Sequence, residues 1–140
     1  MKAMFLLLAL LVTLPPALSR EATEQCITYE PNTINLYGRI TRKVFAGPPN
    51  YENVAKGDEA EQVWVLRLNR PVCVAASAQW EAEANVSEIQ LVFGEGSSQY
   101  NRYESLLGEK VVAKGRLFHA HTGHHHTKVL LTVRSIKTLK

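Results

Sequence analysis

Cysteine is scarce in this 140-residue chain, which holds two, Cys26 and Cys73. They stand far apart, so there is no C-x-x-C pair, and neither a thioredoxin-type redox motif nor a cysteine-rich zinc module is indicated. Long apolar runs are equally few. After Met4 to Leu14 none recurs, which excludes a chain that crosses the membrane several times with helices. No internal repeat and no low-complexity tract is present, so a solenoid or propeller is not expected. Charge of one sign is in small excess. The formal net charge of +3 falls to about +2 without Lys2, too mild overall to point to a polyanion, and nucleic acid is not an expected partner.

What the sequence does contain begins with residues 1–19, MKAMFLLLALLVTLPPALS. One lysine, an apolar run from Met4 to Leu14, Pro15-Pro16 and a small-x-small ending at Ala17 and Ser19 read as a secretory signal peptide. The run is too short to span a bilayer and no cysteine stands at the cleavage point, so no membrane insertion is expected after cleavage. Residues 20–140 have a length suited to one domain, expected to be periplasmic or secreted. In such an oxidising compartment Cys26 and Cys73 are expected to form a disulfide.

From Thr33 the chain alternates, with Ile34, Leu36, Gly38, Ile40 and Val44 on one side and Asn35, Tyr37, Arg39, Thr41 and Lys43 on the other. This predicts a long strand with a glycine at its middle, where a small barrel bends. A polar loop follows, from Gly47-Pro48-Pro49-Asn50 through Gly57-Asp58-Glu59. Strands are predicted at Val63 to Leu68, Glu88 to Phe93, Lys110 to His119 and Val129 to Ile136, with Ala75 to Ala84 as a connection. A short amphipathic helix is expected from Ser98 to Leu107, capped by Ser97 or Ser98 and ended by Gly108. The order β-β-β-α-β-β gives an all-β fold with one short helix, a five-stranded barrel of the oligonucleotide/oligosaccharide-binding (OB) type. Its core should include Ile34, Leu36, Ile40, Trp64, Leu66, Ile89, Leu91, Val111, Ala113, Leu131 and Val133.

All five histidines fall between His119 and His126, inside Leu117 to Leu131, LFHAHTGHHHTKVLL. Strand residues flank the cluster and Thr122-Gly123 lies within it, the pattern of a hairpin with a tight turn. A two-residue loop would set His121 opposite His124 and His119 opposite His126. A three-residue loop, Thr122 to His124, would set His121 opposite His125 and His119 opposite Thr127. The three-residue loop is preferred because it pairs Leu117 with Val129, Gly115 with Leu131 and Ala113 with Val133, a continuous apolar face. His119, His121 and His125 would then converge, with His124 and His126 as substitutes if the turn slips. Imidazoles grouped in this way suit Zn, Cu or Ni.

The run from Tyr103 through Leu131, with Leu107-Gly108-x-Lys110-Val111 and then Gly115-x-Leu117-Phe118-x-Ala120-x-Thr122-Gly123-His124-His125, resembles the bacterial exported family domain of unknown function 4431. The upstream strands match more loosely, including Gly47-Pro48-Pro49-Asn50-Tyr51. The resemblance implies export and an OB-like fold, and carries no catalytic or binding residues with it.

The expected function is that of an exported binding module whose histidine loop takes a divalent transition metal. Catalysis is less favoured, because no carboxylate near the cluster offers itself as a base: Glu104 and Glu109 belong to the helix end and the turn after it. One alternative is a metal-free module for an envelope ligand or protein, bound through Tyr37, Arg39, Lys43 and Tyr51 beside the loops that flank an OB binding face. Another is a pH-responsive surface, since five imidazoles titrate near neutrality.

Overall fold

The computed structural model describes residues 25–140, so the signal peptide expected at residues 1–19 lies outside the described residues. Five strands close into a barrel: β1 (Ile34–Ala46), β2 (Ala60–Val74), β3 (Glu83–Val92), β4 (Lys110–His119) and β5 (Val129–Thr138). Around the barrel their order is β1-β2-β3-β5-β4, with β4 returning to pair with β1. All pairings are antiparallel except β3 with β5. This is the OB arrangement expected from the strand order. Among the described residues no helix is long and apolar enough to cross a membrane.

Alternation along the strands builds the core. Ile40, Leu66, Ile89, Val111, Ala113, Leu117, Val129 and Leu131 are fully buried, with Leu36, Trp64, Leu91 and Val133 nearly so. Every residue expected in the core lies there except Ile34, which packs on it half-buried at the barrel end. Val44 is on the same side of β1 as Leu36 and Ile40 but lies outside the core. It is 57% exposed, because β1 runs on past the barrel mouth and its inward-facing positions meet solvent there. Over that stretch it is the other side of β1, at Thr41, Lys43 and Phe45, that is half-covered.

Two glycines allow strands to approach closely. A Cβ on Gly38 would lie 2.2 Å from the Arg67 carbonyl oxygen, and one on Gly115 would lie 2.2 Å from that of Thr132. Gly38 sits at the end of the β1–β2 pairing, opposite Leu68, and Gly115 at the irregularity in the β4–β5 register.

The one α-helix among the described residues, α1 (Ser97–Tyr103), continues as a 3-10 turn over Glu104–Leu106, and Gly108 at φ 83° ends the segment as expected. Its N-cap is Gly96 and not a serine: the Ser98 hydroxyl instead donates to the Glu95 carbonyl. Cys26 and Cys73 are bonded across 47 residues, tying the segment before β1 to the end of β2. The disulfide is characteristic of proteins of non-cytoplasmic, oxidising compartments.

Candidate functional site: the histidine loop and its two carboxylates

The hairpin joining β4 to β5 is not tight. Leu117 pairs with Leu131 and Gly115 with Val133, each two residues beyond the expected partner, and Ala113 pairs with Ile136 across the irregularity. His119 therefore faces Val129, not Thr127, and residues 120–128 form a nine-residue loop closed by the Ala120 N–H on the Lys128 carbonyl. A shift of two preserves the alternation, which is why the apolar face was read correctly while the turn was not. The loop can be this long because side chains from the barrel satisfy its backbone.

Gln90, buried on β3, supplies most of that support. Its side-chain amide donates to the His124 carbonyl at 3.0 Å and accepts the His126 N–H at 2.7 Å, while its own N–H donates to Thr127 Oγ1 at 2.9 Å. Gln90 lies in register with Val65 on one side and Leu130 on the other. Both are fully buried yet separate from the cluster inside the barrel. The loop is clasped over this second apolar layer, on the outer surface of β2, β3 and β5.

The five imidazoles do not converge. His124 and His126 meet at Glu61, at the start of β2: His124 Nδ1 donates to Oε1 at 2.6 Å and His126 Nε2 to Oε2 at 2.7 Å. His126 is buried flat against Phe45, the cross-strand partner of Glu61, with ring centroids 4.6 Å apart. His124 is mostly exposed. Its Nε2 lies 3.4 Å from the hydroxyl of Tyr51, whose ring covers Gly123 so closely that a Cβ there would sit 2.7 Å from it. Tyr51 reaches this place from the β1–β2 loop at φ 59°, an uncommon backbone for an aromatic residue. Asp58 holds that loop by accepting the N–H groups of Asn50, Glu52 and Asn53. Those backbone donors, Asn53 first, keep the Asp58 carboxyl below its ordinary 3.8.

His119 goes elsewhere. Its Nε2 donates to Glu83 on β3 at 2.9 Å and its Nδ1 to the Ala120 carbonyl at 3.0 Å. Both partners are acceptors, so the doubly protonated ring fits, and these bonds raise its pKa above 6.5, Glu83 contributing most. Glu83 also accepts from Lys128 at 3.1 Å. His121 and His125 form a third group. Their ring centroids are 4.6 Å apart, both rings pack on Phe118, and His121 stacks on Trp80. His125 Nδ1 accepts the His121 N–H, which requires an unprotonated nitrogen there. Burial, and next the charge of His121, lower the His125 pKa.

The expected triad of His119, His121 and His125 is thus divided, with His119 drawn off by Glu83. Among the described residues, no three His, Cys, Asp or Glu side chains form a ready-made set of metal ligands. The carboxylates that sequence reasoning missed are Glu61 and Glu83. A signal for Glu61 existed: Trp64, Leu66 and Leu68 point inward, so odd-numbered Glu61 points outward, toward the face that a β4–β5 loop crosses in this topology. Burial raises the Glu61 pKa, but the bonds from His126 and His124 outweigh it and keep the carboxyl below 4.5.

The second expected set is dispersed. Arg39 donates to the Gly108 carbonyl, Lys43 pairs with Glu88 at 2.6 Å, Tyr51 packs on the histidine loop from the β1–β2 loop, and Tyr37 stands apart, half exposed.

Comparison with known proteins bears on the same stretch. No curated protein matches the chain. A family model described as Domain of unknown function matches residues 88–137, which run from within β3 to near the end of β5 and include the whole loop. The looser likeness around Gly47 to Tyr51 lies outside the match. Over those residues the chain is similar to the family Domain of unknown function (DUF4431).

Proposed function

We propose that this chain is an exported binding module, periplasmic or secreted, that takes up a divalent transition metal through Glu61, His124 and His126. The observation that carries the reading is the convergence of a His-x-His pair on one strand carboxylate, at 2.6 and 2.7 Å. Two imidazoles and a carboxylate are donors that zinc accepts, and copper or nickel are compatible with the same groups. The loop backbone is pinned by Gln90 and one ring by Phe45, so little order remains to be imposed on binding.

Uptake exchanges two N–H···O bonds for three metal bonds. The donor atoms have to separate by about 0.6 Å to stand around zinc, and both rings have to move their proton to the other nitrogen. That is small for His124, which is mostly exposed, and Tyr51 is placed to accept the relocated proton's hydrogen bond. The disulfide and the reading of residues 1–19 support export.

Titration calorimetry with zinc at neutral pH, on untagged protein, tests the reading. Binding of one ion with a dissociation constant below about 1 μM, lost in Glu61→Gln and in His126→Ala and kept in a His121→Ala/His125→Ala variant, supports it. Millimolar binding indifferent to Glu61 contradicts it and favours a metal-free module in which the same contacts only clasp the loop.

A further inference from the structure

The mild overall charge conceals a local concentration. On the outer surface of β1, β4 and β5, Tyr37 faces Val112, which in turn faces Lys137. One row away Asn35 faces Lys114, which faces Ser135, and on the other side Arg39 lies between Lys110 and Arg67. Residues directly opposite one another share a face of the sheet, so five cations surround one tyrosine. Among the described residues none of the five pairs with a carboxylate, and Glu88, which lies opposite Arg67, is taken by Lys43. At the centre Tyr37 is 50% exposed and forms a wall of a cleft of about 340 Å³ lined by Asn35, Val112, Lys114, Ser135 and Lys137.

We infer that this face binds an anionic glycan, a saccharide carrying carboxylate or phosphate groups. A tyrosine ring offers a flat surface to the C–H face of a sugar. Asn35 and Ser135 offer amide and hydroxyl partners to its hydroxyls, and Lys114 and Lys137 stand at the cleft to meet its charges. The sheet here is fully paired, β1 to β4 and β4 to β5, so it has no free strand edge for an extended acidic peptide to join. A single aromatic residue, with no second one beside it, is a poor platform for successive bases of a nucleic acid. The cleft takes no residue from the β1–β2 loop or from the histidine loop, the two that flank the usual OB binding face.

Calorimetry and amide chemical-shift titration at low salt, with a galacturonic acid hexamer as probe, test this. Expected is a dissociation constant on the order of 100 μM, weakening with salt, with shifts centred on Tyr37, Lys114 and Lys137. Lys114→Gln with Lys137→Gln should weaken binding about tenfold, and Tyr37→Ala about fivefold, all at exposed positions where melting temperature should hold. Phosphate-bearing and carboxylate-bearing hexamers distinguish the two anion types, and stronger binding of either supports the inference. Equal binding of an uncharged galactose hexamer, stronger binding of single-stranded DNA or of a glutamate-rich peptide, or indifference to all three substitutions would overturn it. Glu61→Gln should leave glycan binding unchanged, so failure here and failure of the metal reading are separable.

Discussion

His126 lies flat on Phe45, the two ring planes within 7° of parallel, and the carboxylate it bonds belongs to the residue paired across the strands with that same phenylalanine. One cross-strand pair thus fixes the ring from below and from its edge. The loop depends on this contact and on Gln90 above all. Gln90→Leu removes a donor and an acceptor and leaves the His124 carbonyl and the His126 N–H unpaired, at a cost of about 2–3 kcal/mol. Phe45→Ala should cost about 1–3 kcal/mol. Hydrogen exchange at His125 and His126 should quicken in both variants, while amides of β1 and β4 far from the loop keep their protection.

The two crowded glycines should be the least replaceable residues of the barrel. At Gly38 and Gly115 an added methyl group meets backbone, which cannot swing aside as a side chain can. Each Gly→Ala change should cost about 3 kcal/mol or more, read from denaturant midpoints. Gly94→Ala, where nothing lies within 4 Å, should cost under about 1 kcal/mol and serves as the control.

The disulfide closes a loop of 47 residues, and in the chain-entropy description its loss releases about 4 kcal/mol of constraint on the unfolded chain. A Cys26→Ser/Cys73→Ser variant should unfold at a clearly lower denaturant concentration. An unchanged midpoint would show that the unfolded chain is already restricted in that region.

The His119–Glu83 pair sets a pH window. The folded His119 pKa stands above 6.5, so its contribution is complete below 6.5 and is lost as pH rises through the folded value. The folded Glu83 pKa stands below 4.5, held there by His119 and then Lys128, so its contribution is complete above 4.5 and is lost as pH falls through the folded value. His119→Gln should therefore destabilise most between about pH 4.5 and 6.5, by about 1–2 kcal/mol, and less as pH rises beyond. His125 acts with the opposite sign, its contribution present above 6.5 and lost as pH falls through its depressed pKa. Melting temperatures of wild type and His119→Gln from pH 4 to 9 check this. A difference constant with pH would contradict it.

Much of the barrel was legible in the sequence because period-two alternation and the place of the single helix are local signals. Strand order and closure followed from them, and β4 matched to the residue. The loop was not legible, because its length is set by partners distant in sequence. Gln90, Glu61 and Glu83 are 34, 63 and 36 residues from the groups they hold, and nothing within LFHAHTGHHHTKVLL announces them. A tight turn is the reading that local chemistry favours, and side chains from β2 and β3 override it. Val44 shows a related point, since alternation tells which side a residue faces and not whether the barrel still extends beneath it.

The most direct test of the metal reading is the protonation state of the imidazole nitrogens, seen by long-range proton–nitrogen spectroscopy before and after one equivalent of zinc. Without metal, an ionised Glu61 requires the proton of His124 on Nδ1 and that of His126 on Nε2, and His125 must keep Nδ1 bare. With zinc, the proposal expects the proton of His124 to move to Nε2 and that of His126 to Nδ1, while His119, His121 and His125 keep their states. Zinc-induced changes confined to His121 and His125, or no change at His124 and His126, would contradict it.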